Sequence, residues 1–174
     1  MSRKRNQSGS SGRSPAFGAR KPFGVVSAPT TSATSQRPAR ISARATSSAV
    51  APEAHAAYEE AGIGPEDLSL AEVYDLSSAL ELDWYEHIGL CKAGEAERLL
   101  HDGDTTIGGR IPVNPSGGLS CFGEAVPAQA LAQVCELVWQ LRGQASGRQV
   151  EGARVGLTVN QGLFGHGSSV ILKR

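Results

Sequence analysis

The chain has 174 residues, 40% of them hydrophobic, which suits one modest domain with its own core. It shows neither a secretory signal nor an apolar run near the roughly 20 residues that a membrane-spanning helix needs. Its three cysteines stand far apart without a CxxC pair, which argues against a disulfide framework or structural zinc and favours a reducing, cytoplasmic setting.

The formal net charge of zero hides two unlike segments. Residues 1–52 hold nine Lys and Arg and no acid, whereas residues 53–174 hold eight basic and seventeen acidic residues. The first segment is rich in Ser and Pro and cannot bury enough surface to offset its ordering entropy, so we expect a disordered tail. Its composition also fits an organelle transit peptide, a contact with RNA or anionic lipid, or a shifted reading frame. Only Phe17 and Phe23 offer base stacking, so nucleic-acid binding is the weaker interpretation.

Residues 53–174 are predicted to form the folded domain. The stretch EAHAAYEEA (53–61) favours a helix that ends at Gly62, and LSLAEVYD (68–75) favours a short strand. Apolar residues then recur every four positions from Leu76 to Ile88, which predicts a helix with one apolar stripe. A shorter helix is expected over 94–101.

A long glycine-rich connection, DGDTTIGGRIPVNPSGG (102–118), follows, and loops of this length in compact domains are usually functional. Pro127 suits the first turn of the next helix, which Gly143 ends. Its apolar stripe is predicted to face the core and consists of Leu131, Val134, Cys135, Val138 and Leu141.

The stretches ARVGLTVN and SSVILK predict two closing antiparallel strands. A strand, several helices and two further strands make an α/β or α+β layer, with the helix that carries Trp139 lying on the sheet.

A family resemblance is carried by three stretches, AYEEAGIGPEDLSLAEVYD, GGRIPVNPSGGL and ALAQVCELVWQLRGQASGRQVEGARVGL, and by a glycine-rich loop between the last two strands. Together they resemble the C-terminal region of thiolases, particularly sterol-carrier-type thiolases and lipid-transfer acetyl-CoA acetyltransferases. The resemblance implies a thiolase-like C-terminal α/β domain, a mixed sheet with packed helices, over residues 53–174. It also implies an acyl-CoA thioester as substrate and no covalently bound cofactor.

In that family the nucleophilic cysteine belongs to the N-terminal half. The resemblance therefore implies that this half is missing here or is supplied by a partner subunit, in a homodimer or heterodimer. None of the three cysteines matches the nucleophile's position. Cys135 is expected to be a small core residue of its helix, and Cys121, in the glycine-rich loop, is the one with the exposure that reactivity needs.

The segment after PSGG departs from the family at one decisive position. Thiolases run on to a Gly-His-Pro motif, whose histidine helps to activate the cysteine. Gly123 matches the glycine, but Glu124 stands at the histidine and Ala125 at the proline. An ionised carboxylate only accepts hydrogen bonds, whereas imidazole both donates and accepts. The resemblance thus implies an acid/base role for Glu124 with altered chemistry.

Two further motifs also depart from the family. Tyr74 and Asp75 open the segment that matches Asn-Glu-Ala-Phe or His-Asp-Cys-Phe, and Asn160 replaces the cysteine of Cys-X-Gly. If three loops converge as the resemblance implies, the catalytic candidates that meet are Glu124, Asp75, Tyr74, Asn160 and His166. The candidate substrate-binding residues are Gly117, Gly118, Gly123 and Gly162. His55, His87 and His101 are scattered and offer no ligand spacing for a metal.

Structural roles compete with each of these assignments. Glu124 also fits an acid near a helix N-terminus, where the macrodipole contributes about 0.3 to 1 kcal/mol, and the catalytic role requires a buried carboxyl instead. Asp75 also fits a cap of the following helix, Tyr74 a core residue and His166 a solvated loop residue.

Two functions follow from these readings. One is an acyltransferase that makes or breaks carbon-carbon bonds in acyl-CoA thioesters. The other is a degenerate, non-catalytic subunit that binds acyl-CoA or completes a heteromer.

Overall fold

In a computed structural model, the described residues are 24–27, 51–162 and 167–174. They form four strands, five α-helices and one 3-10 turn. In chain order these are β1 (Gly24–Ser27), α1 (Pro52–Ala61), the 3-10 turn (Pro65–Asp67), β2 (Leu70–Glu72), α2 (Ser78–His87), α3 (Ala96–His101), α4 (Gly118–Phe122), α5 (Ala128–Arg142), β3 (Val155–Gln161) and β4 (Gly167–Lys173).

The strands make one mixed sheet in the order β1-β4-β3-β2. β2 pairs with β3 in parallel, and β4 pairs antiparallel with both β3 and β1. Because parallel strands end at the same edge of a sheet, the residues that follow β2 and the last residues of β3 lie side by side. This edge is where Tyr74 and Asn160 come near one another.

Helices cover both faces of the sheet. The larger cluster of buried side chains joins α1, α2 and α3 to one face and includes Tyr85, Ile88 and Leu157. The smaller cluster joins α5 to the other face through Leu70, Leu137, Leu141 and Leu172. A Cβ added at Gly156 would lie 2.8 Å from Leu137 Cδ2, so the glycine allows α5 to lie close on β3. The predicted mixed sheet with packed helices is therefore observed.

The predicted element types recur with few changes. α1 ends at Gly62, α5 ends at Gly143, and β3 and β4 form the expected antiparallel pair. Leu76 is an exception, because it precedes α2 and is 55% exposed. The helix begins later than its apolar spacing suggests, since Ser77 Oγ accepts a 3.2 Å hydrogen bond from Leu80 N–H and caps it.

The tail expected to be disordered contains one strand. Gly24–Ser27 pairs antiparallel with β4, from Gly24 opposite Lys173 to Ser27 opposite Val170. The prediction of disorder through residue 52 was wrong at these four residues, because the outer edge of β4 presents unpaired backbone groups that a short segment can satisfy. Where the structure describes the chain, no helix combines the length and apolar character needed to cross a membrane.

The predicted apolar face of α5 is confirmed only in part. Val134, Val138 and Leu141 pack on the sheet side as expected, whereas the other two members of the stripe do not. Leu131 is 65% exposed, Cys135 is exposed and Trp139 is 45% exposed, so this side of the helix points away from the sheet. The face on the sheet is largely polar and consists of Gln129, Gln133, Glu136, Leu137, Gln140 and Leu141. Hydrogen bonds satisfy these amides and the carboxylate, which removes the penalty of burying them.

Candidate functional site

Tyr74 and Glu124 meet directly at the edge where β2 ends. The Tyr74 hydroxyl donates a 2.5 Å hydrogen bond to Glu124 Oε1, across fifty positions of sequence. Tyr74 follows β2, and Glu124 lies between α4 and α5. The bond to Glu124, with desolvation and the negative charge added, raises the pKa of Tyr74 above its ordinary value. The hydrogen bond thus favours the protonated phenol, with Tyr74 as the donor of the pair.

This pairing combines a hydrogen-bond donor with an acceptor. A carboxylate has no donor, and a phenol supplies one. Together the two side chains can give a proton to one atom and take a proton from another, as a single imidazole can. The burial that the catalytic role of Glu124 was expected to require is not observed, because Glu124 is exposed. It does not begin a helix either, since α5 starts at Ala128.

Asn160 reaches the same region through buried amides. Its Nδ2 donates a 2.8 Å hydrogen bond to Gln133 Oε1, and Gln133 Nε2 donates a 3.0 Å bond to the carbonyl of Val73. Gln129 Nε2 donates to Asn160 Oδ1 at 3.4 Å, and Gln129 Oε1 accepts from Ala125 N–H at 3.0 Å. The network links the end of β3, the start of α5 and the residues next to Tyr74 and Glu124.

Asp75 points toward α4 instead of the Tyr74 hydroxyl. Its Oδ1 accepts a 2.9 Å hydrogen bond from Leu119 N–H in the first turn of α4. A side chain at Gly118 would collide with this carboxylate, and Gly118 has a φ of +61°, so the close approach requires glycine. The alternative that Asp75 caps the following helix was wrong, because Ser77 caps α2 itself. Asp75 fixes the turn that carries Gly117 and Gly118.

The rest of this turn is held onto β2. Asn114 N–H donates to Ala71 O at 2.8 Å, and Asn114 Oδ1 accepts from Val73 N–H at 2.8 Å. Ala71 N–H donates to Pro112 O at 3.0 Å, so the outer edge of β2 is occupied by the loop. The glycine-rich connection is therefore fixed along the strand that delivers Tyr74.

A buried carboxyl does exist here, but it is Glu72. Its side chain is 0% exposed and bonds to Ser116 through both oxygens. Desolvation is the main cause that raises the pKa of Glu72 to about 7, with Glu136 and Asp75 adding to the rise and the Ser116 bonds opposing it. Glu72, which the sequence analysis did not single out, is thus buried, whereas Glu124 is exposed.

The remaining predicted site residues are placed as follows. Gly117 precedes α4, and Gly123, with open space around its Cα, lies beside Glu124. Gly162 directly follows β3, two residues beyond Asn160. His166 lies outside the described residues, so its catalytic role stays a prediction.

The three cysteines differ in their exposure to solvent. Cys91 is half-buried, and desolvation raises the pKa of its thiol to about 11, which makes it a poor nucleophile at neutral pH. Cys121 and Cys135 are exposed, so the expectation of a buried Cys135 was wrong. A Cβ at Gly117 would collide with Cys121 Sγ, which places this thiol against the turn.

Several residues of this region were missed from the sequence. Glu72, Ser116, Gln129 and Gln133 all hold the Tyr74 loop or the glycine turn. A signal was present, because Gln129, Gln133, Glu136 and Gln140 recur at helical spacing. A polar stripe is a weak signal for a buried face, since buried amides are uncommon.

Comparison with known proteins agrees with this architecture. A family model described as thiolase C-terminal domain-like matches residues 30–174. Over 108 residues, 62% of the chain, it is 49% identical to sterol carrier protein 2 of Rattus norvegicus, of which it covers 20%. Over 114 residues, 66% of the chain, it is 46% identical to an acetyl-CoA acetyltransferase of Methanothermobacter thermautotrophicus, of which it covers 30%. The chain thus spans between a fifth and three tenths of these relatives.

Two further relatives carry names that mention subunits or complexes. The benzoylsuccinyl-CoA thiolase subunit BbsB of Thauera aromatica is 45% identical over 98 residues, 56% of the chain and 26% of that protein. A solved structure titled Ltp2-ChsH2(DUF35) aldolase superposes with a TM-score of 0.61 at 32% identity, covering 70% of this chain and 30% of that one.

Proposed function

Because the chain belongs to the thiolase C-terminal domain-like family, we propose that it supplies the C-terminal part of an active site that makes or breaks a carbon-carbon bond in an acyl-CoA thioester. The observation that carries this proposal is the hydrogen bond between Tyr74 and Glu124. Both residues stand where the family pattern has other polar groups, and they contact each other. A chain that had simply lost its catalytic residues would have no reason to replace two of them with a matched donor and acceptor.

Tyr74 and Glu124 act as the acid/base pair in this account. Glu124 removes a proton from the substrate, Tyr74 donates its own proton to the oxygen or carbon that gains charge, and the proton now on Glu124 then passes to Tyr74 through their shared hydrogen bond. Asn160, held by Gln133 and Gln129, contributes an amide at the same edge. In this account the thioester binds beside the Gly117–Gly118 turn, which leads into α4 next to this edge.

Acyl transfer of the thiolase type is the first form of this reaction. It needs a cysteine nucleophile that forms a thioester with the acyl group, and none of the three cysteines stands at the position of the family's nucleophile. The nucleophile would come from the part of the relatives that this chain does not span. Names of similar proteins, an acetyl-CoA acetyltransferase and a thiolase subunit, favour this form.

Aldol cleavage is the second form, and it needs no covalent intermediate. A base removes the proton of a 3-hydroxyl group, the bond between C2 and C3 breaks, and the resulting thioester enolate takes a proton at C2. Glu124 can accept the proton of the hydroxyl group, and Tyr74 can donate a proton to C2. The 32% identity to a structure titled an aldolase is the specific support for this form.

The proposed partner is the segment that the longer relatives carry, in the same assembly or in another subunit. The three exposed residues Leu131, Cys135 and Trp139, which we call the α5 outer stripe, recur every four positions on one side of α5. Apolar surface of this kind is covered in most proteins by another chain or domain. The stripe faces away from the sheet, so a partner can reach it without disturbing the core.

A chimera tests the proposal and separates the two forms. Residues 53–174 replace the matching part of the Methanothermobacter acetyl-CoA acetyltransferase, and the chimera is assayed with a 3-ketoacyl-CoA plus CoA and with a 3-hydroxyacyl-CoA. Turnover of the first substrate supports acyl transfer, and turnover of the second supports aldol cleavage. A folded chimera that binds acyl-CoA and turns over neither substrate contradicts the proposal and favours a non-catalytic subunit. A Cys121→Ser chimera is the matched control and should retain the activity.

A further inference from the structure

Glu72 ends β2 as a fully buried carboxyl that the Tyr74–Glu124 pair does not use. Its Oε1 accepts a 3.1 Å hydrogen bond from Ser116 N–H, and its Oε2 accepts a 2.7 Å bond from the Ser116 hydroxyl. Ser116 Oγ in turn accepts a 3.1 Å bond from Gly118 N–H. A single carboxylate thus fixes both the backbone and the side chain of the residue that leads into the glycine turn.

We propose that Glu72 is the positioning residue of the Gly117–Gly118 turn, and that protonation of Glu72 reverses the hydrogen bond at Ser116 and loosens the turn. The ionised carboxylate accepts both hydrogens of Ser116. The neutral acid must donate its own proton, and Ser116 Oγ is the acceptor within reach. The serine hydrogen then turns away, and its oxygen is shared between Glu72 and Gly118 N–H.

The charged groups and the burial around Glu72 bring its protonation near neutral pH. Asp75 follows it along the chain, Glu136 faces it from α5, and Arg148, from the loop after α5, pairs with Glu136 at 2.7 Å. Desolvation comes first among the causes that raise the pKa of Glu72 to about 7. Protonation therefore changes over the range in which enzymes normally work, and it changes at a turn that also receives Asp75.

This inference rests on the proposed function only in taking the turn as the place of the thioester, and its test needs no substrate. In the full 174-residue chain, two-dimensional NMR follows the amide resonances of Ser116 and Gly118, together with the carboxyl carbon of Glu72, from about pH 5.5 to pH 8.5. We expect all three to move with one shared midpoint within about one unit of 7. Hydrogen-exchange protection of the Gly118 amide should be higher above that midpoint than below it.

Two variants complete the design. Glu72→Gln keeps the shape of the side chain and should abolish the transition at Ser116 and Gly118. Glu81→Gln removes a half-buried carboxyl with a raised pKa, which bonds to Tyr85 instead, and should leave the transition in place. Amide resonances that stay constant over the range, or a transition that persists in Glu72→Gln, would overturn the proposal. If Glu72→Gln does not fold, the test is the comparison of three midpoints in the unmodified chain: those of the Ser116 amide, the Gly118 amide and the Glu72 carboxyl carbon. Unequal midpoints would refute the proposal.

Discussion

The hydroxyl of Tyr74 and the carboxylate of Glu124, fifty positions apart in sequence, are joined by a 2.5 Å hydrogen bond. Each residue departs from the pattern of the thiolases that the chain resembles, and each supplies what the other lacks. The phenol donates, and the carboxylate accepts. Two changes that would each impair a histidine-based site thus form one polar unit, which is why we regard the site as altered and not as decayed.

Ionisation of Tyr74 should report this bond in the isolated chain. The bond to Glu124 is the largest cause of the raised pKa of Tyr74, so Glu124→Gln should lower that pKa. Alkaline titration of tyrosinate absorbance measures the shift, and Tyr74→Phe identifies which transition belongs to Tyr74. Burial raises the pKa of Tyr58 and Tyr85 still further, so their transitions lie at higher pH.

The matched control for this titration is Glu81→Gln. Glu81 accepts a 2.7 Å hydrogen bond from Tyr85, so its replacement should affect Tyr85 and leave Tyr74 unchanged. An unaltered Tyr74 transition in Glu124→Gln would show that the hydrogen bond does not persist in solution.

Two glycines of the turn should respond differently to alanine. Gly118 and Gly123 both have positive φ, which costs a residue with a side chain about 1 kcal/mol. Only at Gly118 would the new Cβ also collide with Asp75, whereas Gly123 has open space around it. Urea unfolding should therefore show a larger loss of stability for Gly118→Ala than for Gly123→Ala. Equal losses would mean that Asp75 does not pack against the turn.

The buried amide side chains should stabilise the fold as well as position the residues of the site. Replacing Gln133 with Leu leaves Val73 O and Asn160 Nδ2 without their partner, and each unsatisfied buried group costs about 1 to 3 kcal/mol. We expect the free energy of unfolding to fall by about 2 to 4 kcal/mol in Gln133→Leu. Gln144→Leu, at an exposed position just after α5, is the control and should change stability by less than about 0.5 kcal/mol. A similar result for both variants would exclude the network.

The pH dependence of stability should follow Glu72. Its pKa is about 7 in the folded chain against an ordinary value of 4.5, so the folded state binds more protons between these values. The free energy of unfolding must then decrease as pH rises through this window. Urea unfolding at several pH values should show a shallower decrease for Glu72→Gln. Identical pH profiles would contradict the burial of an ionisable Glu72.

The element types could be predicted because local signals determine them. Gly62 and Gly143 end helices, and short runs of apolar β-forming residues mark β3 and β4. The face of α5 could not be predicted in the same way. Apolar spacing identifies the stripe that avoids water, but it does not distinguish contact with the chain's own sheet from contact with a partner.

Residues of the site could be predicted only where they stand at positions of a family motif. Glu124, Tyr74 and Asn160 were found by their match to family positions, yet the hydrogen bond between two of them depends on the loop path. Glu72 was missed because a lone acid in a short strand normally points to solvent. Its burial depends on Ser116, which lies forty-four positions away.

The α5 outer stripe should mediate association. At moderate concentration we expect the chain to oligomerise, and Leu131→Glu combined with Trp139→Ser should shift it toward monomer. Sedimentation velocity measures the distribution. Leu100→Glu changes an apolar residue of similar exposure on α3, away from the stripe, and should have no such effect. A chain that is monomeric at all concentrations, or that responds equally to both changes, would contradict a partner surface on α5.

The most direct test of the account is a double-variant cycle of turnover in the chimera that carries residues 53–174. If Tyr74 and Glu124 transfer one proton as a unit, Glu124→Gln and Tyr74→Phe should each lower kcat by about 10² to 10⁴, with the chimera still folded. The double variant should then be no slower than the slower single variant, because the second change removes a group that has already lost its partner. Unchanged turnover in Glu124→Gln, or losses that multiply in the double variant, would contradict the claim that this hydrogen-bonded pair performs the acid/base chemistry.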